Sequence, residues 1–196
     1  MSLIITDGTG TGKVAKVNKD NRLNVNAETL GAREVAVIKG EAFFLEAQSI
    51  ELTSDNPSAI FYYKNTGIED VLVVSIITNL GVSTGGGSGL TTTELLRNPT
   101  TGTIVTNEVT TGQKNFNFGS SKQLAGDIFA GVEGDTFTDG ESFTEADLPT
   151  PLFLVSDTVS VIPPGSSLGF RFTPPTGNTS MTVGVAISVY LDGFGE

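Results

Sequence analysis

The stretch IPPGSSLGFRFTPPTGNTSMTVGVAISVYL, Ile162 to Leu191, decides the fold class. Its final segment alternates. Val183, Val185, Ile187, Val189 and Leu191 share one face, and Thr182, Gly184, Ala186, Ser188 and Tyr190 share the other. A period of two over that length is a strand buried on one side, the wall of a sandwich. Upstream, LGFRF repeats the pattern between two proline-rich turns, PPG and PPTGN. Proline fixes φ and lacks an N–H, so each pair marks where ladder pairing stops.

Working outward, the same punctuation runs through the chain. Candidate strands are AFFLEA (42–47), IEL (50–52), AIFYYKN (59–65), DVLVVSIITN (70–79), PLFLVS (151–156) and TVSVI (158–162). Further runs are LIIT (3–6), KVAKV (13–17), RLNV (22–25), EVAVI (34–38) and GTIVT (102–106). All are short and bounded by turn residues such as DNPS and NTG. That pattern predicts an all-β, antiparallel β-sandwich of jelly-roll-like form rather than βαβ units. VLVVSII (71–77) is almost continuously apolar, which predicts a central strand buried on both faces or at an interface.

The middle, residues 81–147, reads as long exposed loops: GVSTGGGSG, then TTTELLRNPTTG, then the acidic GDIFAGVEGDTFTDGESFTEAD. TTTELLRN suggests one helical turn. Residues 1–34 are polar and Asn-rich, with too few large apolar side chains for a core. They read as an extended N-terminal arm carrying a hairpin, KVAKVN–KDN–RLNVN, that orders on a partner or a neighbouring subunit. Residues 35–196 form the sandwich domain.

Composition removes whole classes of chemistry. The 196 residues include no Cys and no His. Thiol nucleophiles, imidazole bases, Ser-His-Asp triads and His- or Cys-ligated metals are therefore excluded. The net charge is −11, and residues 123–170 hold eight acidic side chains and no Lys or Arg. A nucleic-acid partner is not expected, because phosphate binding needs a basic patch and the one modest candidate is Lys13, Lys16, Lys19 and Arg22. No apolar run is long enough for a membrane span, and residues 1–6 lack the charged start of a secretory signal.

The remaining motifs weigh little. TDGTGTGKVAKVN (6–18) contains Gly12-Lys13, but Asp7 stands where the first P-loop glycine belongs, and Val14 stands where the hydroxyl belongs. It reads as a flexible turn ahead of the arm hairpin. Asp135, Asp139 and Glu141 are a weak candidate calcium site. EF-hand spacing fails, because Phe137 and Ala146 occupy ligand positions, so a solvated acidic loop is the default. A paired-carboxylate glycosidase lacks its stacking aromatics, since the chain has no Trp and three Tyr. No cofactor is expected. Asn178-Thr179-Ser180 matches a glycosylation sequon but stands without a secretory signal.

Three stretches carry a resemblance. Asp7–Gly10, Ala15–Asn18 and Asn21–Val25 follow the D-G-T-G, A-K-V-N, N-R-L-x-V order of an N-terminal segment common in structural proteins of tailed bacteriophages. KNFNFGSSKQL (114–124) and the closing IPPGSSLGFRFTPPTGNTSMTVGVAISVYL also resemble that group. The resemblance implies a virion structural protein without catalytic residues, a β-sandwich displayed on a shell, and most specifically a capsid decoration (cement) protein. Its implied partners are the major capsid protein or another virion protein, and its own copies. The implied place is the virion head surface, after assembly in the host cytoplasm. Threefold axes of a shell make a trimer the expected homo-oligomer. In the arm, Leu3, Ile4 and Ile5 would be apolar anchors. Lys13, Lys16, Lys19 and Arg22 would meet acidic groups on the partner. The segment occurs at several virion positions, so an alternative is a carbohydrate- or receptor-binding module of a tail or head fibre. That module would use the Ser83–Gly89 and acidic loops.

Overall fold

The computed structural model describes residues 31–85, 89–106 and 112–191. The N-terminal arm and the strands expected at 3–6, 13–17 and 22–25 lie outside them. Residues Ala32–Glu196 form one compact unit.

The chain enters through a helix, α1 (Ala32–Lys39), and then builds strands β1 (Ala42–Leu52), β2 (Ser58–Asn65), β3 (Val71–Leu80) and β4 (Thr91–Arg97). After a single turn of helix, α2 (Thr103–Thr106), come β5 (Gln113–Asn115), β6 (Gly126–Ala130) and β7 (Glu141–Leu148). The last three strands are β8 (Leu152–Ile162), β9 (Ser167–Thr173) and β10 (Met181–Leu191). They form two antiparallel sheets, ordered β5-β1-β10-β3-β8 and β6-β2-β9-β4-β7.

The topology is a jelly roll. Most consecutive strands cross from one sheet to the other: β1 to β2 to β3 to β4, and later β7 to β8 to β9 to β10. Leaving β5 and β6 aside, β4 and β7 are the one successive pair that stay in the same sheet, side by side, and between them the chain makes a long excursion. That excursion lays β5 outside β1 and β6 outside β2.

The opening stretch is the middle of this fold. β10 pairs with β1 on one side and β3 on the other, from Ala42 opposite Tyr190 through Leu191 opposite Val71. Its inward face (Val183, Val185, Ile187 and Val189) joins Phe43, Leu45, Phe61, Tyr63, Phe170 and Phe172 in one core between the sheets. Its other face is buried as well: Gly184, Ala186 and Ser188 are covered, where one-sided burial was expected. The side chain of Gln48 lies against Gly184, and a Cβ there would push its amide aside. VLVVSII is the internal strand β3, but only alternate residues are buried and the opposite face is half-exposed.

Four further expectations are corrected. EVAVI is helix α1, not a strand. Gly40 ends it with φ of 71°, its N–H donating to Val37 O (3.0 Å) while the Glu41 N–H donates to Ala36 O (2.8 Å). Those two bonds are a Schellman cap, which a strand could not supply. GTIVT holds the short helix α2, whose Ile104 is fully buried against Ala59, Tyr62, Leu96 and Phe137. TTTELLRN is not a helical turn but strand β4, as its β-branched run favours. The stretch 81–147 is not loop throughout but contains β4, β5, β6 and β7. Two pairs of expected strands are also single elements. β1 continues across a register shift at Ala47/Ile50, where Ser49 takes φ of 61°, and β8 runs from Leu152 to Ile162 across a register shift opposite Val73/Ser75.

Candidate interaction surfaces

The two edges of the sandwich differ. Beyond β1 and β2 the excursion strands β5 and β6 complete the sheets. On the opposite side β7 and β8 are outermost, so both sheets end in edge strands on both sides, and among the described residues no strand pairs with the outer edges of β5, β6, β7 or β8. Unpaired edges expose a row of backbone donors and acceptors, a template for another chain unless charge protects it. Here charge is present. β7 carries Glu141, Glu145 and Asp147, and β8 carries Asp157, all exposed. Apolar groups lie among them: Phe143, Phe153, Val155 and Val161 are each at least half exposed.

Between these edges the core is open. A cavity of about 360 Å³ has walls from both sheets, including Ile76, Leu95, Phe143, Val161, Ile162 and Leu168. Ser160, Ser166 and Ser167 also line it, and such small side chains leave the space unfilled. Arg97 contributes a cation to the lining and lies 3.8 Å from Glu141. The pocket lining is therefore mixed, apolar side chains beside three serines, Asn98 and Arg97, with Glu141 of β7 next to it.

A second feature sits at the other edge, in the loop after β5. The sequence NFNFG alternates asparagine with phenylalanine. The asparagines lock the backbone: Asn117 N–H donates to Asn115 Oδ1 (2.8 Å), and Gly119 N–H donates to Asn117 Oδ1 (3.1 Å). Their amides tie the loop to α1 and its cap. Asn117 Nδ2 donates to Ile38 O (3.0 Å) and Asn115 Nδ2 to Gly40 O (2.9 Å). Phe116 folds back onto Phe44, edge to face at 6.2 Å. Phe118 is left wholly exposed, and Ile38 of α1 is 63% exposed. Lys114 pairs with Glu46, and Lys122 with Glu41 (2.8 Å), on either side in sequence. A sequence reading that treats 81–147 as loop misses this tip. Its signal was the Asn-x-Asn spacing, which favours consecutive side-chain-to-backbone turns.

The candidate calcium residues are not brought together as ligands. Asp135 is buried and accepts from the Thr103 hydroxyl (2.7 Å) and the Val132 N–H (2.9 Å). Asp139 accepts from the Thr100 hydroxyl and from the N–H groups of Thr100 (2.8 Å) and Thr101 (2.9 Å). These bonds, the hydroxyl first, hold its carboxyl down at about 2. Glu141 faces Arg97. Among the described residues no three acidic side chains group closely enough to hold a metal ion. Glu133 behaves like Asp139. It takes the Thr53 hydroxyl (2.7 Å) and the N–H groups of Thr53 (2.8 Å) and Ser54 (2.7 Å), and its carboxyl is also lowered, the side-chain bonds contributing most. The acidic tract thus fastens loops by accepting from backbone N–H groups, work that needs no cation.

The other marked residues have structural partners. Tyr62 and Tyr63 are buried, and desolvation pushes both phenols up. Asn178 of the sequon is buried, donating to Leu52 O (2.9 Å) and Ser54 O (3.1 Å) while accepting from the Ser83 hydroxyl (2.7 Å). A glycan could not be attached there without breaking the fold. Leu3, Ile4, Ile5, Lys13, Lys16, Lys19 and Arg22 lie outside the described residues. No protein-family model and no curated protein matches the chain.

Proposed function

We propose that this protein is a non-enzymatic accessory protein of a tailed-phage virion, a head decoration protein that binds and stabilises the shell through its N-terminal segment. The observation that carries the reading is the ordered series Asp7–Gly10, Ala15–Asn18 and Asn21–Val25, with its four cations within ten residues. The jelly roll supports it. Exposed apolar side chains gather at the β7–β8 edge and on the pinned loop after β5, features of a surface suited to protein contact. Many weak contacts repeated over a shell add up through avidity.

The test is binding of the full chain to phage heads stripped of accessory proteins, compared with a Lys13→Glu/Lys16→Glu/Lys19→Glu/Arg22→Glu variant. The wild type is expected to saturate at a whole-number ratio to shell subunits and to weaken with salt, while the variant stays off. Absence of wild-type binding would sink the reading. Binding to a tail or to host glycans instead would favour the fibre-associated receptor module.

A further inference from the structure

We propose that copies of this chain join head to tail, Phe118 of one copy entering the cavity between β7 and β8 of the next. The two halves of the contact are separate features of the fold. One edge of the sandwich bears an aromatic ring held wholly in solvent by a loop whose backbone is pinned at Asn115 and Asn117. The opposite edge bears a cavity, walled in part by Ile76, Leu95, Phe143 and Val161, that no side chain among the described residues fills. A cavity of about 150 Å³ accepts a benzene ring, so about 360 Å³ has room for a phenylalanine side chain and part of its loop. A pinned aromatic entering a pocket walled by apolar side chains is the arrangement in which few residues carry most of the binding energy.

Charge selects this pairing over the symmetric one. Two cavity edges meeting each other would set Glu141, Glu145 and Asp147 against their own copies, a like-charge contact that opposes association. Beside Phe118, Lys114 and Lys122 are each paired with Glu46 or Glu41, so the exposed acids of β7 would meet ion pairs rather than a second row of acids there. β5 and β8 are the two outer strands of the same sheet. The contact therefore joins different surfaces. An open chain of copies keeps one knob free at one end and one hole free at the other until a ring closes. The inference is independent of shell binding: an oligomer that ignores phage heads would remove the decoration reading and leave this one standing.

Sedimentation velocity on the full chain tests it, with Phe118→Asp and Val161→Arg as single variants and as a mixture. Both positions are solvent-facing, so folding is checked by thermal melt and is expected to hold. If Val161→Arg melts early, Phe143→Asp serves as the cavity variant. The wild type is expected to form a closed oligomer at micromolar concentration, and each variant to associate at least roughly thirtyfold more weakly. Mixed together, the two variants should form a one-to-one dimer and nothing larger, because each retains one working surface. A wild type that stays monomeric would overturn the proposal. So would a Phe118→Asp protein that assembles like the wild type, or a mixture that stays monomeric.

Discussion

Asp139 shows how one side chain can set the acid stability of a loop. Its folded pKa of about 2 lies below the ordinary 3.8, so it stabilises the folded state fully above the higher value. That contribution fades as pH falls from 3.8 through 2. Asp139→Asn should therefore lower the melting temperature at pH 6, and the gap to wild type should close as both are taken to pH 2. A gap that stays constant with pH would show that the carboxylate charge is not the cause. Asn178 acts differently, through uncharged bonds. Its amide serves two carbonyls in the β1–β2 connection. Asn178→Ala would leave buried acceptors without donors and is expected to cost about 1–3 kcal/mol in urea unfolding. Neither role was legible in the sequence, where Asp139 stood among many acids and Asn178 suggested only a sequon. What decides each role is a partner more than thirty residues away.

At the scale of elements, legibility tracks how many faces a segment buries. β10, β9, β2 and β3 alternate or run apolar because a core selects them, and the sequence announces them. β7 reads ESFTEADL and buries none of its residues fully, so no apolar period marks it. It is a strand because β4 offers it a ladder. Such a strand should open easily: its amides are expected to exchange with deuterium fastest among the ten strands, and those of β2, β9 and β10 slowest. Equal protection in β7 and β9 would contradict this. α1 failed in the opposite way. EVAVI fits period two and period 3.6 equally over so few residues, and the deciding signal was the following Gly40. A Cβ at Gly40 would lie 2.2 Å from Ser120 Oγ and would also strain the positive φ. Gly40→Ala should cost about 1–2 kcal/mol in equilibrium unfolding, loosening the helix cap and the Phe118 loop together.

For the whole molecule, the sandwich was legible and its asymmetry was not. The turns and alternations of the C-terminal stretch are enough to demand two packed antiparallel sheets. They cannot say that the excursion after β4 travels to the far edge, because that depends on where β1 and β2 leave ladders unfilled. Nor do they reveal the cavity, which arises where the open edges meet three serines rather than from any motif. The sign of the charge was plain from the start. Its concentration on the edge strand β7 emerges only once β7 is seen at the end of its sheet.

The register of β1 against β10 also carries a mechanical meaning. Ala42 faces Tyr190, and the Leu191 N–H reaches Glu41 O at 2.9 Å, so the described chain enters and leaves at the same end of one ladder. Tension between residues 31 and 191 would load that ladder's first rungs singly, like opening a zip. Tension between residue 31 and the far tip near Gly177 would shear many rungs at once. In single-molecule stretching the first geometry should yield at a clearly lower force than the second. A load-bearing role would then suit this sandwich only when the pull passes along its strands.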